Sequence, residues 1–190
     1  MQRLDLDQKE ISSRVESKAY LQLVKKSMLS IRQQQQEDKR KMIQELLFTA
    51  ATQSFCSDEL VSIFIDWISK YSLGHFSVIF EIHDHGAITR KKIWNNMNGQ
   101  QVKENSHEAD LFKLVLHELS VSQLIRQQRS TDEEGNFLAR SKKNTKTKKN
   151  AAPKVLKSVF DDEKPYELTA LGEKLVAYIH SNPKSSNKST

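Results

Sequence analysis

The side chains in this sequence best placed to do chemistry are cations. Between Ala139 and Lys157 stand Arg140, Lys142, Lys143, Lys146, Lys148, Lys149, Lys154 and Lys157, with no acid among them. Cations on a flexible segment can follow phosphates, and each phosphate neutralised releases counterions, giving salt-sensitive binding without sequence preference. No aromatic residue interleaves these lysines, so base stacking on the segment is not expected. The bland alternative is a solvated loop whose charge serves solubility. Taking those eight from the formal net charge of +6 leaves −2 for everything else, so the basic character belongs to one segment rather than to the whole surface.

A smaller set of donors lies outside that segment. Arg90, Lys91 and Lys92, beside Trp94, Asn95 and Asn96, and the later Arg126 and Arg129 are candidate nucleic-acid contacts. The stretch 107–119 carries Glu108, Asp110 and Glu118 against the single Lys113. Phosphates repel such a face, which argues against operator-type reading of a major groove by that helix.

Other reactive types are sparse. Cys56 is the only cysteine, so an internal disulfide and a Cys-rich metal site are excluded, and a reducing, cytoplasmic setting is expected. At a helix start its thiol could titrate low, although packing as a small apolar side chain is the simpler account. His83-Asp84-His85 has ligand types, but i, i+2 spacing next to Gly86 suits a helix-ending turn better than zinc. His107 and His117 are expected to be one capping and one partly buried histidine. The acid clusters 132–134 and 161–163 are expected to pair with the lysines between them. There is no Gly-rich phosphate loop, no Gly-x-Ser-x-Gly and no His-Glu-x-x-His, so neither enzyme nor cofactor is expected.

These residues need elements to hold them. Residues 7–53 contain no Gly or Pro and read as one long helix or two consecutive ones. The run 32–40 interrupts its apolar face, which suits a solvated helix packed only at its C-terminal end, or an arm that binds a partner or forms a homodimer. Ser57 should cap a second helix bearing Leu60, Ile63, Phe64, Trp67 and Ile68. Further helices are expected at 75–83, 87–97 and 107–119, the last with Leu111, Leu114, Val115 and Leu119 at helical spacing. A strand over 121–129 should leave it, and Tyr166–Leu168 should return beside that strand after a basic excursion spanning 136–164. Thr169 reads as the hydroxyl cap of a closing helix whose stripe is Leu171, Leu175, Val176 and Ile179.

The expected fold class is therefore mainly α: a winged-helix-like domain with a small β-hairpin wing and a long N-terminal helical extension. The extension is 1–56, the winged-helix-like domain 57–181, and 182–190 a polar tail. No run of about 18 apolar residues suggests a membrane span.

Two blocks carry a family resemblance. One runs from Asp38-Lys-Arg through Leu46-Leu-Phe-Thr-Ala-Ala to Phe64-Ile-Asp-Trp-Ile and Gly74-His75; the other is Leu168-Thr-Ala-Leu-Gly172 before an apolar helix. Together they resemble a group of uncharacterised bacterial proteins with winged-helix-like character and, more loosely, the Abi-alpha family of abortive infection. The chain departs from that pattern at Leu175 or Val176, where an aromatic is usual, and in its long Lys-rich loop. The resemblance implies a bacterial or phage-related protein acting in phage defence, and it carries over no catalytic residue. Function is then expected to be that of a non-enzymatic adaptor touching nucleic acid through 140–157. The alternatives are a protein–protein scaffold using the N-terminal helix and a sequence-specific regulator.

Overall fold

The computed structural model describes residues 7–53, 56–98, 102–103, 105–128 and 164–180. Most of the described residues are helical. In chain order the elements are α1 Gln8–Glu16, α2 Lys18–Gln33, α3 Glu37–Thr52, α4 Asp58–Lys70, α5 Leu73–His85, α6 Arg90–Asn98, α7 His107–Val121, β1 Ile125–Gln127, β2 Tyr166–Leu168 and α8 Ala170–Ile179. They form two compact units, one of residues up to Phe80 together with those from Ala170, the other Glu81–Thr169.

In the first unit, the stretch expected to be one or two helices is three. Ser17 ends α1 and restarts the chain, since its hydroxyl accepts the Tyr20 amide at 3.2 Å as the cap of α2. Asp7 and Glu10 close a capping box on α1. The second break falls at Gln34–Gln36 without any Gly or Pro. There the Arg40 guanidinium donates to the Gln34 carbonyl at 2.8 Å, and Glu37 and Asp38 sit in the positive first turn of α3.

Nor is the N-terminal region a solvated arm. Tyr20, Leu23 and Ser27 of α2 are buried, and α2 packs on both α3 and α4. The Tyr20 hydroxyl donates to the Leu47 carbonyl at 3.1 Å. Lys26 Nζ reaches the Ser62 carbonyl at 2.9 Å and the Asp66 carboxylate at 2.7 Å. A narrow apolar stripe reinforced by polar ties thus suffices where the sequence pattern alone reads as too polar to pack. The core of this unit is Ile43, Leu46, Phe64, Ile65, Ile68, Tyr71, Leu175 and Tyr178. Helix α8 packs on α3, and the Thr49 hydroxyl donates to the Tyr178 carbonyl at 3.2 Å.

In the second unit β1 and β2 pair antiparallel, with Ile125 opposite Leu168 and Gln127 opposite Tyr166. An isolated bridge adds Ile88, whose amide and carbonyl exchange hydrogen bonds with Tyr166 at 3.0 and 2.7 Å. Helix α7 ends in a Schellman closure: the Leu124 amide bonds to the Leu119 carbonyl and the Gln123 amide to Ser120, with Gln123 at φ 58°. That closure extends α7 to Val121 and leaves the strand expected over 121–129 only three residues long. The Thr169 hydroxyl donates to the Gln123 carbonyl, so it ties the end of β2 to the α7 turn.

Candidate nucleic-acid and protein interface

Four of the expected nucleic-acid contacts are described: Arg90, Lys91, Lys92 and Arg126. Arg129, Arg140, Lys142, Lys143, Lys146, Lys148, Lys149 and Lys154 lie outside the described residues, as do the acid clusters beside them. Arg90 starts α6, and its guanidinium lies 5.3 Å from the Tyr166 ring centroid. Its Nε donates to the Tyr166 hydroxyl at 2.8 Å, a contact that Gln127 shares at 3.3 Å. Arg126 on β1 donates to the Glu167 carboxylate at 2.7 Å across the strand pair. Both guanidinium groups are therefore engaged in holding the sheet. Lys91 and Lys92 are exposed on α6.

The face of α7 departs from expectation. The structure buries Ala109, Phe112, Val115, Leu116 and Leu119, with Phe112 edge-on to Trp94 at 5.2 Å. Leu111 and Leu114, expected in the core, are instead 59% and 49% exposed, and Val121 is 66% exposed. These three share the outer face of the helix with Asp110, His117 and Glu118. His107 and His117 are both exposed, and Ser106 rather than His107 caps the helix, its hydroxyl accepting the Ala109 amide at 3.3 Å.

The other reactive groups are occupied locally. His83 lies 3.4 Å from Asp84, while His85 lies 3.0 Å from the Glu81 carbonyl and 3.2 Å from its carboxylate, all in the last turns of α5. Among the described residues no group of three or more His, Cys, Asp or Glu side chains is placed to hold a metal. The Cys56 thiol titrates above its ordinary value, chiefly because it is buried, against the opposing hydrogen bond to Tyr178. This is the reverse of an activated nucleophile, for which a neighbouring cation or a helix N-terminus must lower the pKa. A groove of about 360 Å³ in the first unit, lined largely by Met42, Leu73, Phe76, Phe80 and Ile179, has Asp38, Lys41 and His180 at its polar edge.

No family model, no curated protein and no solved structure matches this chain. The site is defined by its own side chains. On α7 these are three exposed apolar residues set among acids, a surface suited to apolar and cationic partners. No helix among the described residues is long and apolar enough to cross a membrane.

Proposed function

We propose that α5 to β2 form a winged-helix module that docks protein on α7 and so acts as a non-enzymatic adaptor. The order helix, single bridging residue, two helices, then two antiparallel strands supports the winged-helix assignment. Ile88 stands where the first short strand of such a fold would be and bridges to Tyr166. In that fold α7 takes the place of the groove-reading helix. The observation that carries the function is the exposure of Leu111, Leu114 and Val121 on that helix, beside Asp110 and Glu118. Apolar side chains among carboxylates suit a protein surface and repel a phosphate backbone. The test is a photo-crosslinking amino acid placed at position 114 in living cells, with position 91 on α6 as control. A discrete protein adduct from 114 alone is expected. Nucleic-acid adducts, or no adduct, would overturn the reading.

A second reading rests on the eight cations between 139 and 157. On this account the same adaptor also touches nucleic acid without sequence preference. Anisotropy of labelled duplex and single-stranded DNA should then fall steeply with salt, and binding should vanish when 140–157 is replaced by a Gly-Ser linker. Binding that survives the replacement and depends on sequence would point to a regulator instead. The family resemblance supports a role for either adaptor in a response to phage infection.

A further inference from the structure

We propose that the occupant of the α7 face is helix α2 of a second copy of this chain, so that copies associate head to tail. The inference rests on the protein-docking reading of α7. It is drawn from another exposed apolar face among the described residues, on α2.

That face is the chemical complement of α7. Helix α2 contains Lys18, Lys25, Lys26 and Arg32 and no acid. Lys26 turns toward Asp66 and Ser62 of α4. Lys18, Lys25 and Arg32 recur every seventh residue on the exposed side, and between them Leu21, Met28 and Leu29 are 54%, 61% and 54% exposed. Helix α7 carries Glu108, Asp110 and Glu118 against Lys113, which lies 3.3 Å from Asp110. Its apolar residues Leu114 and Val121 are separated by seven positions, as are Leu21 and Met28, so each pair spans about 10 Å of helix. Helices whose apolar residues share this seven-residue spacing can interleave them at a shallow crossing angle. The flanking charges then meet with opposite sign, whereas α2 against α2, or α7 against α7, would place like charges together.

The contact joins two different surfaces, so it is heterologous: each joined pair keeps one unused α2 and one unused α7, and chains grow unless they close into a ring. Two helix faces bury less than the roughly 1,200 Å² typical of stable complexes, so association should be weak and reduced by salt.

The test uses the full chain in analytical ultracentrifugation over about a hundredfold range of concentration, at low and high salt. The wild type should form heavier species as concentration rises, and less so in high salt. Leu21→Ser/Met28→Ser and Leu111→Ser/Leu114→Ser alter only exposed positions, and their melting curves should match the wild type. Each variant alone should remain monomeric. Mixed in equal amounts they should form a dimer and stop there, because only one intact α2 and one intact α7 remain.

A mixture that stays monomeric would mean a symmetric contact and overturn the proposal, as would association that neither variant weakens. A wild type that is monomeric throughout also overturns it. If such a chain associates only after 140–157 is replaced, its own basic segment is the occupant. If instead it floats with vesicles rich in anionic lipid through α2, that face serves a membrane surface. In each of these cases the crosslink from position 114 separately decides the α7 reading: an adduct with a different protein retains it, and no protein adduct removes it.

Discussion

Arg14 shows how one side chain fastens an otherwise thinly attached helix. No residue of α1 is fully buried. The Arg14 guanidinium donates from two nitrogens to the two Asp58 oxygens, one at 2.9 Å, reaches the Ala50 carbonyl at 3.3 Å, and lies 5.4 Å from the Tyr20 ring centroid. This hydrogen-bonded guanidinium holds the Asp58 carboxyl below its ordinary range, while the same pairing raises Arg14. A depressed carboxylate contributes stability that is complete above its unfolded pKa, near 4, and is lost as pH falls through the lower folded value. With the two side chains 22% and 30% exposed, the pair should contribute about 1–2 kcal/mol after solvent screening. Asp58→Asn should therefore lower the urea midpoint at pH 7, and the difference from wild type should shrink as the titration is carried toward pH ~2. A deficit that stays constant across that range would mean the ionised pair is not its source.

At the scale of elements, the turn after α7 fixes where the sheet begins. Gln123 holds a left-handed conformation at φ 58°, while the Thr169 hydroxyl bonds to its carbonyl. Glycine carries no Cβ penalty at such a position, so Gln123→Gly should raise thermal stability by about 0.5–1 kcal/mol. A fall in melting temperature would show that the Gln123 side-chain bond to the Ser120 carbonyl, at 3.2 Å, matters more than the backbone. Some element positions were legible from local signals in the sequence, although the Ser17 cap that divides α1 from α2 was not among them. Ser57 caps α4 as expected, and Tyr166–Leu168 returns as a strand beside Ile125–Gln127. The Ile88 bridge was not, because a single bridging residue has no periodicity to read. On α7 two stripes satisfy helical spacing equally, one through Leu111 and Leu114, the other through Phe112 and Leu116. The docking of Phe112 against Trp94 from α6 selects the second, and spacing within one helix cannot convey that choice. The candidate docking face therefore became visible only with the tertiary structure.

For the whole molecule, the informative feature is that the two ends of the described chain belong to the same compact unit. Helix α8 follows the sheet in sequence, yet it packs on α3 and completes the unit that begins with α1. Leu175, Val176, Tyr178 and Ile179 are buried there, and Phe64 meets the Tyr178 ring edge-on at 6.1 Å. Local packing alone would make Leu175→Ala a cavity costing about 2–4 kcal/mol, read by denaturant unfolding of the full chain. The arrangement predicts more than that single cost. A fragment beginning at residue 57 retains α4 and α8 but lacks α2, which packs on α4, and α3, which packs on both, and with them the buried Leu23, Ile43 and Leu46. It should lose the cooperative unfolding transition that Leu175→Ala only shifts. Should the fragment melt as sharply as the intact chain, α4 and α8 would have to find their core without the N-terminal helices, and those helices would be an appendage after all. A broad, non-cooperative melt would instead mean that the residues preceding α4 and those following the sheet fold as one body.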